Sequence, residues 1–193
     1  MRKQIFGSVG RWLAILGLSA MVGCLPFPLG DPGKSQVDPR LSGYWASISE
    51  DEKEVIALFP FDQHTYVLED VKLKKQDDKW QPQGPPQLFK AWLTQVRRQQ
   101  FMTLEFLQQR LSTGTTDQKV YPALRLTPTP EGMLVRMVKS DFEPMKNVKS
   151  SEDVEALIAK ELDNPDLYGG DGAKFRRLDP DNDKETIQLV TPS

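Results

Sequence analysis

Phe101-Met102-Thr103-Leu104-Glu105-Phe106-Leu107 alternates from side to side. Met102, Leu104 and Phe106 share one face; Phe101, Thr103, Glu105 and Leu107 share the other. That period of two belongs to a β-strand with the first face toward the core. Residues 121–126 and 133–139 flank Thr127-Pro128-Thr129-Pro130-Glu131-Gly132, the pattern of a hairpin with a loop of several residues. Three further strands are expected upstream. They are Gly43-Tyr44-Trp45-Ala46-Ser47, the apolar run 55–59 closed by Pro60, and 65–75, which is rich in β-formers.

Two segments read as helices. Pro85-Pro86 precedes Leu88, Trp92 and Val96 at a spacing of four, with Phe89 and Leu93 beside them, which predicts an amphipathic helix opened by proline. Ser150 or Ser151 caps a second, with Val154, Leu157, Ile158 and Leu162 on one face and Asn164-Pro165 as its stop. Residues 112–118 form a polar turn, 81–86 a Pro/Gly loop, and 174–178 a short last strand. The expected fold class is α+β: one domain over residues 41–178, a curved antiparallel sheet bent toward a barrel, and two amphipathic helices.

The N-terminus is organised differently. Arg2, Lys3 and Arg11 precede a short apolar run, Trp12 to Gly23, and then Cys24, the only cysteine of the 193 residues. Charge, then apolar stretch, then small residue is the pattern of an export signal, here residues 1–23. The run has about a dozen apolar residues before Pro26 and Pro28, and a membrane-spanning helix needs about 20. Met21-Val22-Gly23-Cys24 resembles the lipobox of bacterial lipoproteins, with Met in place of the usual leucine. The resemblance implies cleavage between Gly23 and Cys24 and acylation of the Cys24 thiol, hence a membrane anchor. Each buried CH₂ contributes about 0.8 kcal/mol, so several chains on one residue hold a protein on a membrane. Leu25, where an aspartate would favour retention at the inner membrane, implies the periplasmic face of the outer membrane. Residues 24–40 carry Pro26, Pro28, Gly30, Pro32, Gly33 and Pro39 and read as an extended lipidated tether. Residues 179–193 read as a mobile acidic tail.

Without the signal's three basic residues, 22 Lys and Arg face 27 Asp and Glu, a net charge of about −5. Nucleic-acid binding needs a basic stripe, so that class is set aside. With one cysteine there is no disulfide framework and no zinc tetrad.

Motifs that carry chemistry are sparse. Gly33-Lys34-Ser35 lacks the upstream glycine of a phosphate loop, since Pro28 stands there. Asp179, Asp181 and Asp183 alternate like a calcium loop, but Lys184 and Val190 occupy its glycine and glutamate positions. The pairs Asp77-Asp78 and Glu50-Asp51-Glu52 read as charged turns. His64, the only histidine, sits near Asp62 in an apparent turn without any G-x-S-x-G. Trp45, Tyr44 and Tyr66, with Trp80, Trp92 and Phe106, are candidates for core packing or an apolar ligand cavity. Arg176-Arg177 beside Phe175 suits an edge position or an anionic group.

Leu41-Ser42-Gly43-Tyr44-Trp45 resembles the G-x-W start of lipocalin-type barrels, in which the tryptophan closes the barrel floor. Phe175-Arg176-Arg177-Leu178 after a helix is similar to the end of some small bacterial lipoproteins. The expectation is a non-enzymatic envelope lipoprotein, without cofactor or metal, that binds a partner protein or an apolar small molecule. The alternatives are an envelope hydrolase using His64 with a carboxylate and a structural subunit of an envelope complex.

Overall fold

Alternation continues from strand to strand until the sheet meets itself. The computed structural model describes residues 24–48, 52–107 and 120–191. Its strands are β1 (Cys24–Leu25), β2 (Gly43–Ile48), β3 (Glu52–Pro60), β4 (Tyr66–Gln76), β5 (Lys79–Pro82), β6 (Gln87–Val96), β7 (Gln99–Phe106), β8 (Tyr121–Thr129), β9 (Gly132–Met137) and β10 (Ala173–Arg177). Each of β2, β3, β4, β6, β7, β8, β9 and β10 pairs antiparallel with the next, and β10 returns to β2. The result is a closed eight-stranded up-and-down barrel. β5 folds back on β4 as a side hairpin, and β1 pairs with β8 at Cys24–Pro122 and Leu25–Tyr121.

Closure leaves no free edge in the ring, and an eight-stranded barrel is just wide enough for side chains to fill. Leu58, Leu68, Phe89, Ala91, Met102, Leu104, Leu124, Leu126 and Met133 fill it. Met102, Leu104 and Phe106 thus face the core as expected, with Phe106 stacked edge-on against Phe89 at 4.9 Å.

The chain is mostly β, not evenly α+β. Residues 87–96, expected as a helix, form strand β6. Its inner face carries Phe89, Ala91 and Leu93, and its outer face carries Trp92 and Val96, both buried under other segments. A strand covered on both faces loses its alternation, and its near-continuous apolar run then satisfies a helical stripe as well. Pro85-Pro86 lies just before the strand, where no ladder N–H is required. The second expected helix is present as α1 (Ser151–Lys160). Ser150 Oγ accepts from Asp153 N at 3.1 Å, and Val154 and Ile158 are buried against the barrel wall. A one-and-a-half-turn helix, α2 (Lys184–Gln188), follows β10.

Residues 24–40 are not a free tether. Leu25 and Leu29 are fully buried in an outer core with Val96, Phe101, Ala123, Val138 and Ile158. The Leu29 carbonyl accepts from Trp92 Nε1 (3.1 Å), Thr94 Oγ1 (3.1 Å) and Thr103 Oγ1 (2.9 Å). Gly30 then turns at φ +73°, and a Cβ there would collide with Thr94. The strap continues to one end of the barrel, where Ser35 Oγ accepts from Leu93 N and Val37 and Leu41 enter the core. Its prolines spend no backbone N–H, and its buried leucines supply the attachment.

Residues 180–191 are also attached. Arg176 forms a two-pronged pair with Asp183 at 2.8 and 2.6 Å, and α2 with the turn after it lays Ile187 and Val190 on Ala46, Val55, Val71 and Leu73. Lys53 is buried beneath it, donating to Thr186 Oγ1 at 3.0 Å over the Trp80 ring. The signal at 1–23, the Glu50-Asp51 pair and the turn at 112–118 lie outside the described residues.

Candidate functional site

The two barrel ends differ because different segments reach them. At the end carrying the β3–β4 and β6–β7 turns, the strap acts as a plug. Tyr66, fully buried, donates its hydroxyl to Asp38 O (3.0 Å) and accepts from Asp38 N (2.5 Å). Trp45 donates Nε1 to Leu41 O at 2.8 Å, and the Arg177 guanidinium lies 5.8 Å from its ring while donating to Arg40 O and Ser42 O. Trp45 and Tyr66 therefore spend their polar atoms on fastening the plug. Tyr44 is on the outside, edge-on to Phe59 at 5.3 Å.

His64 sits at the same end. Its Nδ1 donates to the Ser35 carbonyl at 2.6 Å. The Asp62 carboxylate does not meet the ring; Oδ1 accepts from His64 N, Thr65 N and Thr65 Oγ1 within its own turn. The Gly33-Lys34-Ser35 segment is a short 3₁₀ turn capped by Asp31, with Lys34 at the surface. Asp179 caps its own loop at Asp181 N and Asn182 N while Asp183 holds Arg176. Asp77-Asp78 is a two-residue hairpin turn with φ of 49° and 61°. Among the described residues no group of three or more His, Cys, Asp or Glu is placed to hold a metal ion.

At the opposite end the barrel's inward rows turn from apolar to charged. Along β3 the row runs from Leu58 and Ile56 to Glu54; along β4 it runs from Leu68 to Asp70 and Lys72. Glu54 stands opposite Lys72, and Asp70 stands between Ile56 on β3 and Gln87 on β6. A cavity of about 260 Å³ opens here. Asp70, Lys72, Gln87 and Phe106 form its walls, and the β5–β6 connection contributes Gln83 and the Pro85-Pro86 pair.

Asp70 is only 4 % exposed, and neither carboxylate oxygen has a hydrogen-bond partner among the described residues. Ile56 has nothing to donate, and Gln87 does not reach it. Burial drives the Asp70 pKa up to about 6, with the Lys72 charge pulling the other way. Glu54 is driven further, to about 8, by burial first and the neighbouring Asp70 charge second, again opposed by Lys72. Two carboxylates are thus held close enough to disfavour simultaneous ionisation.

The sequence does not single out Asp70 or Glu54. Asp70 falls inside the expected strand 65–75, and Glu54 falls just before the apolar run 55–59. The available signal is register: both fall in inward rows once the strands are aligned. Comparison of the chain with protein-family models, with curated proteins and with solved structures gave no match in any of the three. The geometry at the charged end therefore has to stand on its own chemistry.

Proposed function

We propose that this chain is a non-enzymatic, lipid-anchored lipoprotein of the bacterial envelope whose barrel binds a small molecule at its charged end. The observation that carries the binding part is the Asp70 carboxylate, buried without a partner in the wall of a cavity inside a rigid closed frame. An unpartnered buried carboxylate costs stability, and such a group is retained most readily where a ligand completes it. The cavity is a little below the range of drug-sized sites, which suits a small ligand or one group of a larger one. The middle of the barrel is filled by its own side chains, so the site chemistry favours a polar ligand over an apolar one.

The eight-stranded up-and-down topology and the place of Trp45 at the plugged end support the lipocalin likeness of Gly43-Tyr44-Trp45. The anchor reading rests on the Met21-Val22-Gly23-Cys24 signature. No helix among the described residues is long and apolar enough to cross a membrane. Cys24 is half-buried in β1 against Pro122, so acyl chains on its sulfur would emerge directly from the barrel wall. On this reading the barrel lies close against the lipid surface, on the periplasmic face of the outer membrane if Leu25 has its enterobacterial meaning.

The test is native mass spectrometry of protein extracted from membranes in mild detergent. The expected result is an N-terminus at Cys24 carrying acyl mass, with a small adduct released on denaturation. An intact, unmodified N-terminus would end the anchor reading. A ligand-free protein that also binds nothing in a thermal-shift screen of polar metabolites would end the binding reading.

A further inference from the structure

We propose that Asp70, assisted by Glu54, receives the protonated amine or guanidinium of a small organic monocation in the charged-end cavity. This rests on the binding reading above and names its ligand class. A carboxylate only accepts hydrogen bonds, so what completes Asp70 must donate them. The supply of donors from the protein is limited, because Ile56 and Gln87 flank Asp70 in register and neither satisfies it. Charge sets the valence. Asp70 lines the cavity, Glu54 neighbours it from β3, and Lys72 on β4 opposes both, so among the described residues this trio, when ionised, carries one net negative charge. One monovalent cation balances it. A calcium ion would need six or more oxygens, and among the described residues no third acidic group joins the pair to hold a metal ion. Phe106 and Pro85-Pro86 offer apolar surface beside the carboxylate, which suits a cation carried on a short alkyl stem.

The groups facing the pair set its pH behaviour. Among the described residues they are Ser47 on β2, opposite Glu54; Lys72 on β4; Gln87 on β6; and Phe106 on β7. Glu52 and Lys74 stand opposite each other on the next rung outward. Glu54 and Asp70 are both displaced upward, toward neutral pH. Cation binding should therefore strengthen as pH rises from about 5 to about 9, where an alkylammonium remains charged.

The probes are n-butylammonium, n-butylguanidinium, 1-butanol and butyrate. Each is titrated into the folded protein with amide chemical shifts of Asp70, Gln87 and Phe106 as readout. The two cations are expected to shift these amides saturably, about tenfold more tightly at pH 8.5 than at pH 5.5. Asp70→Asn, close in shape to the native residue, should weaken them at least about tenfold. Glu152→Gln on α1, an equal charge change at an exposed site, should leave binding as it was. Equal binding of butanol or butyrate, or cation binding unchanged in Asp70→Asn, would overturn the assignment while leaving a ligand site in place. Silence of the cavity amides toward all four probes would overturn it too, and would count against the binding reading as well.

Discussion

Asp70 and Glu54 make the protein less stable where they are ionised. Their folded-state pKa values are raised, so the native state holds protons that the unfolded chain releases. The linkage slope is then negative: the contribution is fully favourable to the native state only at low pH and is lost between about pH 4 and pH 8. Glu54→Gln and Asp70→Asn are each expected to flatten that decline and raise stability at pH 8.5 by an amount on the order of 1–3 kcal/mol, less than the full shift because the two sites are coupled. Urea unfolding at pH 5.5 and 8.5 measures it, and a wild-type curve with no decline over this range would refute it. Tyr66 shows the opposite bookkeeping: its hydroxyl is both donor and acceptor to Asp38. Tyr66→Phe should cost about 1–2 kcal/mol by orphaning the Asp38 amide, read as a lower urea midpoint.

At the scale of elements, the strap 24–41 and strand β6 depend on each other. Trp92, Thr94 and Thr103 donate to one carbonyl, Leu29 O, and the strap in turn hides the outer face of β6 and β7. Leu29→Ala removes a fully buried side chain and should cost about 2–5 kcal/mol in chemical denaturation. Gly30→Ala meets both a positive φ and Thr94, so it should loosen the strap, seen as faster amide exchange at Leu93 and Trp92. A Gly30→Ala protein as protected as wild type would show that the strap adds little. Gly132 is fixed by closure itself, because a Cβ there would strike the Phe175 carbonyl across the β9–β10 seam. On α1 the Ser150 cap was legible from the residue pattern, since Ser before Glu152-Asp153 and an apolar stripe is a local signal. For β6 the local signal misled, because burial on both faces comes from the strap and α1, which lie far away in sequence.

For the whole molecule, the barrel gives rigidity without covalent staples. The ring has no edge, one end is plugged by Val37, Leu41 and Trp45, and among the described residues the other carries charged side chains and a cavity. On the proposed reading, function and stability are separated: apolar rows hold the middle, and the proposed site sits where the rows run out. Under the anchor reading, Cys24→Ser should release the protein from membranes into the soluble fraction. Its melting temperature as a purified domain should change by no more than a few degrees, since Cys24 is only half-buried and forms no disulfide. Retention of Cys24→Ser in the membrane fraction would remove the lipid from the account.

Periodicity and punctuation along the chain were enough to place most strands, the capped helix α1 and the β8–β9 hairpin, although pairing runs on through Thr129 and Gly132 and leaves only Pro130-Glu131 as the turn where a loop over 127–132 was expected. Those features depend on neighbours a few residues apart, and local sequence records them. The closure of the ring, the strand identity of 87–96, the seating of the strap and of α2, and the meeting of Glu54 with Asp70 were decided by tertiary structure. Each depends on which face a residue turns inward and on what distant segment covers it. A carboxylate's environment, unlike its identity, exists only once the strands have been brought into register.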